Sequence, residues 1–533
     1  MPVAAKNEWN YEERSHCVLN VIEVLFADMS TYSRRHFLRS AGGITFLALT
    51  PIGRGLFAVA ANALKPIATP LFTALPYIQS GPEGKLMPGA EIVRLAWQTE
   101  QRVADFDVRF SRDDNYGQIA TIARMERTYK GELGGRYNYV CQFKGLELGS
   151  EYRYRVKCNG AVIAEGYFTT RQPRGRRVRL VAFGDNSHGD ISDRAIAYQA
   201  YRANPDFIMN TGDNVYEAGL DDEYSRYFFP IYNADIAGPR IGAPLLRSVP
   251  FYTVLANHDV EARDPQTKHS CADFDLNSDA LAYYSNFHFP LNGPSSITYP
   301  TVIRGSAGPV ENFKTCAGDR YPRMANYSYD CGDAHFLCLD SNTYTDPTDA
   351  DLQRWVDEDL ASTDAIWKFA VFHHPCFNVG DHHAHEQHMR VLAPIFEKHG
   401  VNFVLSGHEH NYQRTVPIRF KPSDVVKVHN LHSKDRLVPG DFTLDTRFDG
   451  AKETTADGVI YITTGAGGKA LYDPSFNNNP EKWTLPEDNH LRYVAQMVTD
   501  RHSITVFDID GRTALMRQID ESGNEIDRIQ VTV

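Results

Sequence analysis

Cysteine is scarce in this chain and carries no metal-binding spacing. Eight Cys are scattered through 533 residues with no CxxC pair, which excludes a thiolate zinc module. Basic charge is also in deficit. Lys and Arg number 55 against 67 Asp and Glu, a net charge of −12. That balance argues against a nucleic-acid or anionic-membrane binder, which needs clustered Lys and Arg. It does not exclude a small phosphorylated substrate, because a site's local field can oppose the net charge. No internal repeat is evident. The moderately apolar stretch from Gly42 to Leu64 is broken by Pro51 and Arg54, so stable membrane insertion is not expected. With 42% hydrophobic and 23% charged residues the chain is neither disordered nor low-complexity, and its length suits two or three domains. Histidine is the residue in excess. Many of the 20 His fall in tight clusters that require a chemical reason.

The N-terminal segment reads as an address. Ser33-Arg34-Arg35-His36-Phe37-Leu38-Arg39 has the form of a twin-arginine export signal, and the alanines at 58, 60, 61 and 63 offer cleavage sites. Met29 would be a tidier start for such a signal. The expected partner is the twin-arginine translocase, and the expected location is periplasmic or extracellular, outside a bacterial inner membrane. That route suits an enzyme loaded with metal before export. Cys17 would leave with residues 1–63. Seven cysteines remain, and in an oxidising compartment Cys271 and Cys316 could pair across a loop.

Residues 64–172 read as a β-domain. Val93, Leu95 and Trp97 alternate with polar neighbours, as do Phe106, Val108 and Phe110, and Tyr152, Tyr154 and Val156. The run from Gly145 to Tyr152 resembles the tyrosine corner of a fibronectin type III sandwich. Arg171-Gln172-Pro173-Arg174-Gly175-Arg176-Arg177 then reads as a solvated hinge. From 173 to 533 the pattern changes to short apolar strands alternating with helical stretches, an α/β layer architecture. Leu352, Trp355, Val356 and Leu360 mark one helix face; Val391, Leu392, Ile395 and Phe396 mark another, stopped by Gly400. Residues 261–330, rich in Pro, Gly and Asn, read as an insertion near the mouth of a site.

Five of the strands end in turns that carry metal-type donors. These are Gly184-Asp185, Gly212-Asp213-Asn214-Val215-Tyr216, Asn257-His258-Asp259, His373-His374-Pro375 and Gly407-His408-Glu409-His410. Each is weak alone. Together they offer carboxylate, amide and imidazole donors, suited to divalent and trivalent metals of intermediate hardness. Strand ends of an open α/β sheet are where such residues form a crevice.

This order resembles the calcineurin-like metallophosphoesterases and, because Tyr216 follows Asp213 by three positions, the purple acid phosphatases. The runs 407–414 and 461–468 look like segments of the same family. The resemblance implies a four-layer αββα sandwich preceded by an all-β, fibronectin III-like sandwich. It implies Asp185, Tyr216 and His410 as ligands of one metal, Asn257, His373 and His408 as ligands of a second, and Asp213 as the bridge. His374 remains an alternative to His373, which stands two residues before Pro375 as the family's ligand does. Ser187 and Ala256 stand where the family usually has Gly. A Tyr ligand must lose a proton from a group with an ordinary pKa near 10, which implies Fe(III) beside a divalent Fe, Zn or Mn.

The implied activity is hydrolysis of small phosphate monoesters by hydroxide generated on the metal pair, an acid phosphatase of the purple type. His258, His382 and His383 are the candidates to stabilise the transition state and protonate the leaving alcohol. A phosphodiesterase or nucleotide hydrolase with the same two metals is the nearest alternative. A non-catalytic cell-surface binding protein is the alternative from a different class.

Overall fold

The computed structural model describes residues 72–533 except 102–103, 131–133, 261, 264–265, 267–269, 424–435 and 486–491. The twin-arginine segment, its cleavage sites and Met29 lie outside the described residues.

The alternating stretches form two four-stranded antiparallel sheets. One orders Phe72–Gln79, Glu91–Glu100, Gly135–Leu146 and Ile122–Thr128; the other orders Gln118–Ile119, Phe106–Ser111, Glu151–Cys158 and Ala161–Thr169. Their inward residues, among them Leu95, Trp97, Val108, Phe110 and Val156, share one core. The Glu147 amide donates to the Tyr152 hydroxyl oxygen at 3.1 Å, tying the corner to its strand.

Beyond Val178 two sheets face each other. In the first, Val178–Phe183 runs parallel to Phe207–Asn210, which is parallel to Phe251–Thr253; Ser503–Asp510, Thr513–Asp520 and Glu525–Thr532 extend the other edge antiparallel. In the second, Ala334–Cys338, Trp367–Val371, Phe403–Ser406 and Ile460–Thr464 are parallel neighbours. Tyr327–Cys331 closes one edge, and Tyr412–Thr415 with Val494–Val498 closes the other. Aromatic rings fill the space between the sheets: Phe369 meets Phe507 at 5.2 Å and Phe207 meets Phe336 at 5.2 Å between centroids. Helix Ile191–Ala203 covers the first sheet, and Ala350–Ser362 with Ala393–Lys398 covers the second. Leu352, Val356 and Leu360 are buried on that second layer. The result is the expected four-layer αββα arrangement behind a β-sandwich.

Three expectations need correction. Cys271 and Cys316 are both free and buried. Cys316 lies in the last turn of helix Ala307–Ala317, and its thiol sits 3.8 Å from Asn138 Nδ2 and 3.9 Å from Ser285 Oγ, while Cys271 lies in strand Ser270–Asp273. The arginine run is pinned in its first half, while Arg176 and Arg177 are exposed. Arg171 makes a bidentate pair with Glu91 at 2.6 and 3.0 Å, and Arg174 bonds Asp330 and Asp364 at 3.0 and 2.8 Å. The described part of 261–330 packs on the sandwich. Fully buried Arg127 reaches Ser285 Oγ at 2.6 Å and the Ala280 carbonyl, and Gln98 bonds both Asn138 and Asn286.

Beside this junction lies a buried ion triad. His335 Nδ1 is 2.7 Å from Asp330 Oδ1, and Nε2 is 2.8 Å from Asp359 Oδ2. Burial pulls its pKa down, but the two carboxylates outweigh burial and lift it to about 9. A raised folded-state pKa gives stability that is complete below the unfolded value of about 6.5 and lost as pH rises through about 9. The urea midpoint is therefore expected to fall between pH 6.5 and 9 by an amount equivalent to on the order of 3 kcal/mol. His335→Gln should remove that pH dependence; an unchanged slope in the variant would refute the assignment.

Candidate metal centre

Every predicted donor except His382 and His383 stands on a turn leaving the C-terminal end of a parallel strand or immediately after such a turn. Asp185 follows Val178–Phe183, Asp213 follows Phe207–Asn210, Asn257 follows Phe251–Thr253, His373 follows Trp367–Val371 and His408 follows Phe403–Ser406. The turns are tight enough that three non-glycine donors take left-handed backbone: Asp185 at φ 59°, Asp213 at 51° and His408 at 68°. Such conformations cost on the order of 1–3 kcal/mol each and persist only where the surroundings impose them. Gly212 shows the crowding directly. Its φ is +98°, and a Cβ there would stand 2.6 Å from Ala256 Cβ and 2.9 Å from His373 Nδ1.

The backbone network accounts for the two departures from the family pattern. Ser187 adopts φ 59°, the conformation glycine would supply freely. Its amide is held by Asp193 Oδ1 at 3.0 Å, and the amides of His188, Gly189 and Asp190 donate to Asp193 Oδ2 at 3.1, 2.8 and 3.1 Å. At Ala256 the amide donates to Asp259 Oδ2 at 3.0 Å.

The structure brings Asp185, Asp213, Tyr216, His373, His408 and His410 into one buried cluster. Tyr216 Oη lies 3.2 Å from Asp185 Oδ1, 3.1 Å from Asp213 Oδ2 and 3.2 Å from His410 Nε2. His410 Nδ1 donates to the Ala470 carbonyl at 2.8 Å, which leaves Nε2 as a bare lone pair. Three acceptors therefore converge on a phenol with one proton. Next to them, His373 Nδ1 donates to the Thr211 carbonyl at 2.8 Å, so its Nε2 faces inward, 3.3 Å from Asp213 Oδ2 and 3.2 Å from His408 Nδ1. His408 Nε2 points the other way, 3.4 Å from Glu386 Oε2. The buried Oδ1 of Asn257 has no hydrogen-bond partner among the described residues. This excess of acceptors over protons fits a pair of cations. His374 stands on the far side of His408: its Nδ1 is 2.9 Å from Ser341 Oγ and its Nε2 3.7 Å from Glu386 Oε2, and with Glu386 and His408 it forms a second group of possible ligands.

The electrostatics agree. Burial raises Asp185 to about 7, and Asp213 adds to the rise. Burial works against Asp213 too, but the rings of His373 and His258 hold it below the ordinary carboxylate range. Burial lowers His373, yet Asp213 outweighs it and lifts the ring to about 9. Burial lowers His408 to about 4 and His410 to about 3. Burial, reinforced by Asp185 and Asp213, pushes Tyr216 well above 10. A strongly acidic cation is what would take the proton from such a phenol.

The three candidate proton donors are placed differently. The His383 ring lies tilted against that of His408 with centroids 3.9 Å apart, and its Nδ1 lies 3.6 Å from Glu386 Oε1. Burial lowers its pKa, but the nearby Glu386 and Glu409 carboxylates bring the net shift upward. The His258 ring lies 4.4 Å from that of Tyr216, with Nδ1 2.8 Å from the Glu217 carbonyl oxygen. His382 stacks at 4.3 Å on Tyr472 and has a half-exposed side chain. Glu386, Tyr472 and Lys469 were not foreseen. Glu386 follows His383 by three residues in an aperiodic loop, and Lys469 directly follows the 461–468 run; spacing alone marked neither.

Asp193 gives a direct test of the first turn. Asp193→Ala removes the carboxylate that accepts from four backbone amides, and denaturant unfolding should show a loss of about 2–4 kcal/mol. A loss under 0.5 kcal/mol would mean the turn is held otherwise.

Comparison with known proteins agrees with this geometry. Residues 178–412 match the model of the Calcineurin-like phosphoesterase family. The chain is 27% identical over 263 residues to Purple acid phosphatase 17 of Arabidopsis thaliana, covering 46% of this chain and 67% of the relative. It is 23% identical to Tartrate-resistant acid phosphatase type 5 of Sus scrofa, covering 41% and 57%. The matched stretch thus spans roughly three fifths of the length of these relatives. A solved purple acid phosphatase from yellow lupin seeds shares the fold, with a TM-score of 0.57 at 16% identity over 86% of this chain and 74% of that one. Residues 178–412 are therefore a calcineurin-like metallophosphoesterase region, in a chain with purple and tartrate-resistant acid phosphatases among its relatives.

Proposed function

We propose that this protein is an exported, binuclear-metal phosphatase that hydrolyses phosphate monoesters, of the purple acid phosphatase type. The observation that carries the reading is the surplus of lone pairs around Tyr216, Asp213 and His373. In this reading Asp185, Tyr216 and His410 hold Fe(III), and Asn257, His373 and His408 hold a divalent Fe, Zn or Mn. Asp213 lies against Tyr216 and against His373 and would be the ligand common to both metals. The phenol of Tyr216 argues for the trivalent ion, since burial and two carboxylates keep it protonated otherwise. Bound there, a metal pair would supply Lewis-acid chemistry toward a phosphate ester and its attacking water.

The chain's own residues orient the site and move the proton. Thr211 and Ala470 fix the tautomers of His373 and His410. Glu386 faces His408 Nε2 at 3.4 Å and keeps its own charge, because the neighbouring rings of His383 and His408 outweigh burial. His383, held over His408 and lifted toward its protonated form by Glu386, is the best placed of the three candidates to protonate a leaving alcohol. His258 flanks the Tyr216 side and offers charge to the transition state. His382 stands at the rim. Residues 1–63 are proposed as the twin-arginine signal, 64–172 as the fibronectin III-like domain and 173–533 as the metallophosphoesterase domain. The bond from Glu147 to Tyr152 supports the second of these.

Metal analysis, a visible spectrum and two substrates test the reading together. The expected protein holds two metals per chain, at least one of them iron, and shows a tyrosinate-to-iron absorption band that Tyr216→Phe abolishes. It should cleave p-nitrophenyl phosphate faster than bis(p-nitrophenyl) phosphate. His383→Asn should lower kcat by about 10²-fold or more with both metals retained. An iron-free protein of equal activity would overturn the metal assignment, and a preference for the diester would favour the phosphodiesterase alternative.

A further inference from the structure

A cation lies against the very ring assigned to iron. Gly468, at φ +146°, turns the chain so that Lys469 and Ala470 run beside the cluster. The Lys469 amide donates to the Asp185 carbonyl at 3.0 Å, and the Ala470 carbonyl receives His410 Nδ1 at 2.8 Å. Lys469 is thus anchored between two of the three residues assigned to the trivalent metal. Its Nζ stands over the face of the third, 4.2 Å from the Tyr216 ring centroid. The ammonium is also ion-paired with the Glu217 carboxylate, and Lys469 is only 18% exposed in its side chain while Glu217 is 66% exposed. The more solvated carboxylate holds the ammonium in place without cancelling its field on the buried ring.

We propose that Lys469 is a tuning residue of the iron site, a fixed cation that weakens Tyr216 as an electron donor. The inference rests on the reading that Tyr216 binds Fe(III). An ammonium above an aromatic face attracts the ring's π electrons, and attracts them more when the ring is a phenolate. Stabilising the filled phenolate orbitals raises the energy needed to move an electron from ring to iron. It also lowers the donation that favours Fe(III) over Fe(II), so the iron potential rises. Lys469 acts through the ring, since its Nζ is committed to Tyr216 and Glu217. Outer residues that act on a ligand in this way are a general means of tuning a metal.

The test uses metal-loaded full-length protein and reads the tyrosinate-to-iron band, the iron midpoint potential and iron per chain. Lys469→Gln should move the band to longer wavelength and lower the potential. Lys469→Arg, which restores a cation over the ring, should return both toward wild type. Glu217→Gln removes the counter-charge and should shift the band the opposite way, to shorter wavelength. A Lys469→Gln protein with full iron and the wild-type band would overturn the proposal while leaving the iron–tyrosine reading intact. Should Lys469→Gln lose its iron, Glu217→Gln decides: a shift to shorter wavelength supports the proposal and an unmoved band overturns it. Wild-type protein that holds iron but lacks the band would overturn the underlying reading and this inference with it.

Discussion

The Asp185 carboxylate joins the two sheets at the point where all the donors meet. It leaves a strand of the first sheet and accepts the His408 amide, which belongs to the second, at 3.0 and 2.9 Å. Beside it the Gly184 amide donates to the Thr464 carbonyl at 3.0 Å, and Thr505 Oγ1 reaches Thr464 Oγ1 at 2.9 Å. The register of the sheets is therefore fixed by polar contacts at the site and by stacked aromatics beneath it. Without that register Asp213 and His373, which come from different sheets, would not stand 3.3 Å apart. The arrangement is costly in itself. Three donors sit in left-handed backbone, and two buried carboxylates lie against one phenol. The surrounding core must over-determine these positions, and the cations assigned to the site relieve the like-charge crowding.

Much of this was legible in the sequence because the relevant order is local. An apolar strand that stops at Gly-Asp or Gly-His declares both its end and the side chain aimed from it. Three such stops, two further strands ending at Asn257-His258 and His373-His374, and Tyr216 three residues after Asp213 gave the candidate donors. The β-sandwich was equally readable from period-two alternation. What the sequence left open is tertiary. His373 and His374 are neighbours with the same side chain, and only the contacts of their rings, one to Thr211 and Asp213, the other to Ser341 and Glu386, tell them apart.

The misread segments share one cause. The arginine run looked solvated because Glu91, Asp330 and Asp364, its partners, lie far away in sequence. The anchorage of the insertion was hidden in the same way, because Arg127 and Gln98, which dock its described part, belong to the sandwich. Charge in a linker carries no local mark of whether it meets water or a carboxylate. The same blindness hid Lys469, whose ring partner Tyr216 is 253 residues earlier.

Placing an ammonium next to a site built to bind cations looks self-defeating until the charges are taken together. Around the Tyr216 phenol stand two carboxylates, with His410 lowered by burial into its neutral form. Lys469 does not add a free charge to this set, because Glu217 accompanies it. The pair behaves as an oriented dipole, positive end on the ring and negative end toward solvent. Such a dipole leaves the long-range attraction for metal nearly unchanged, since its two charges cancel with distance. At 4.2 Å from the ring they do not cancel, so the field acts on the π electrons of a single ligand. A lone lysine there would repel the metal; a lone glutamate would strengthen the phenolate as a donor. Only the pair can adjust the ligand's donor strength without opposing metal binding, which gives the two residues a joint role that neither could fill alone.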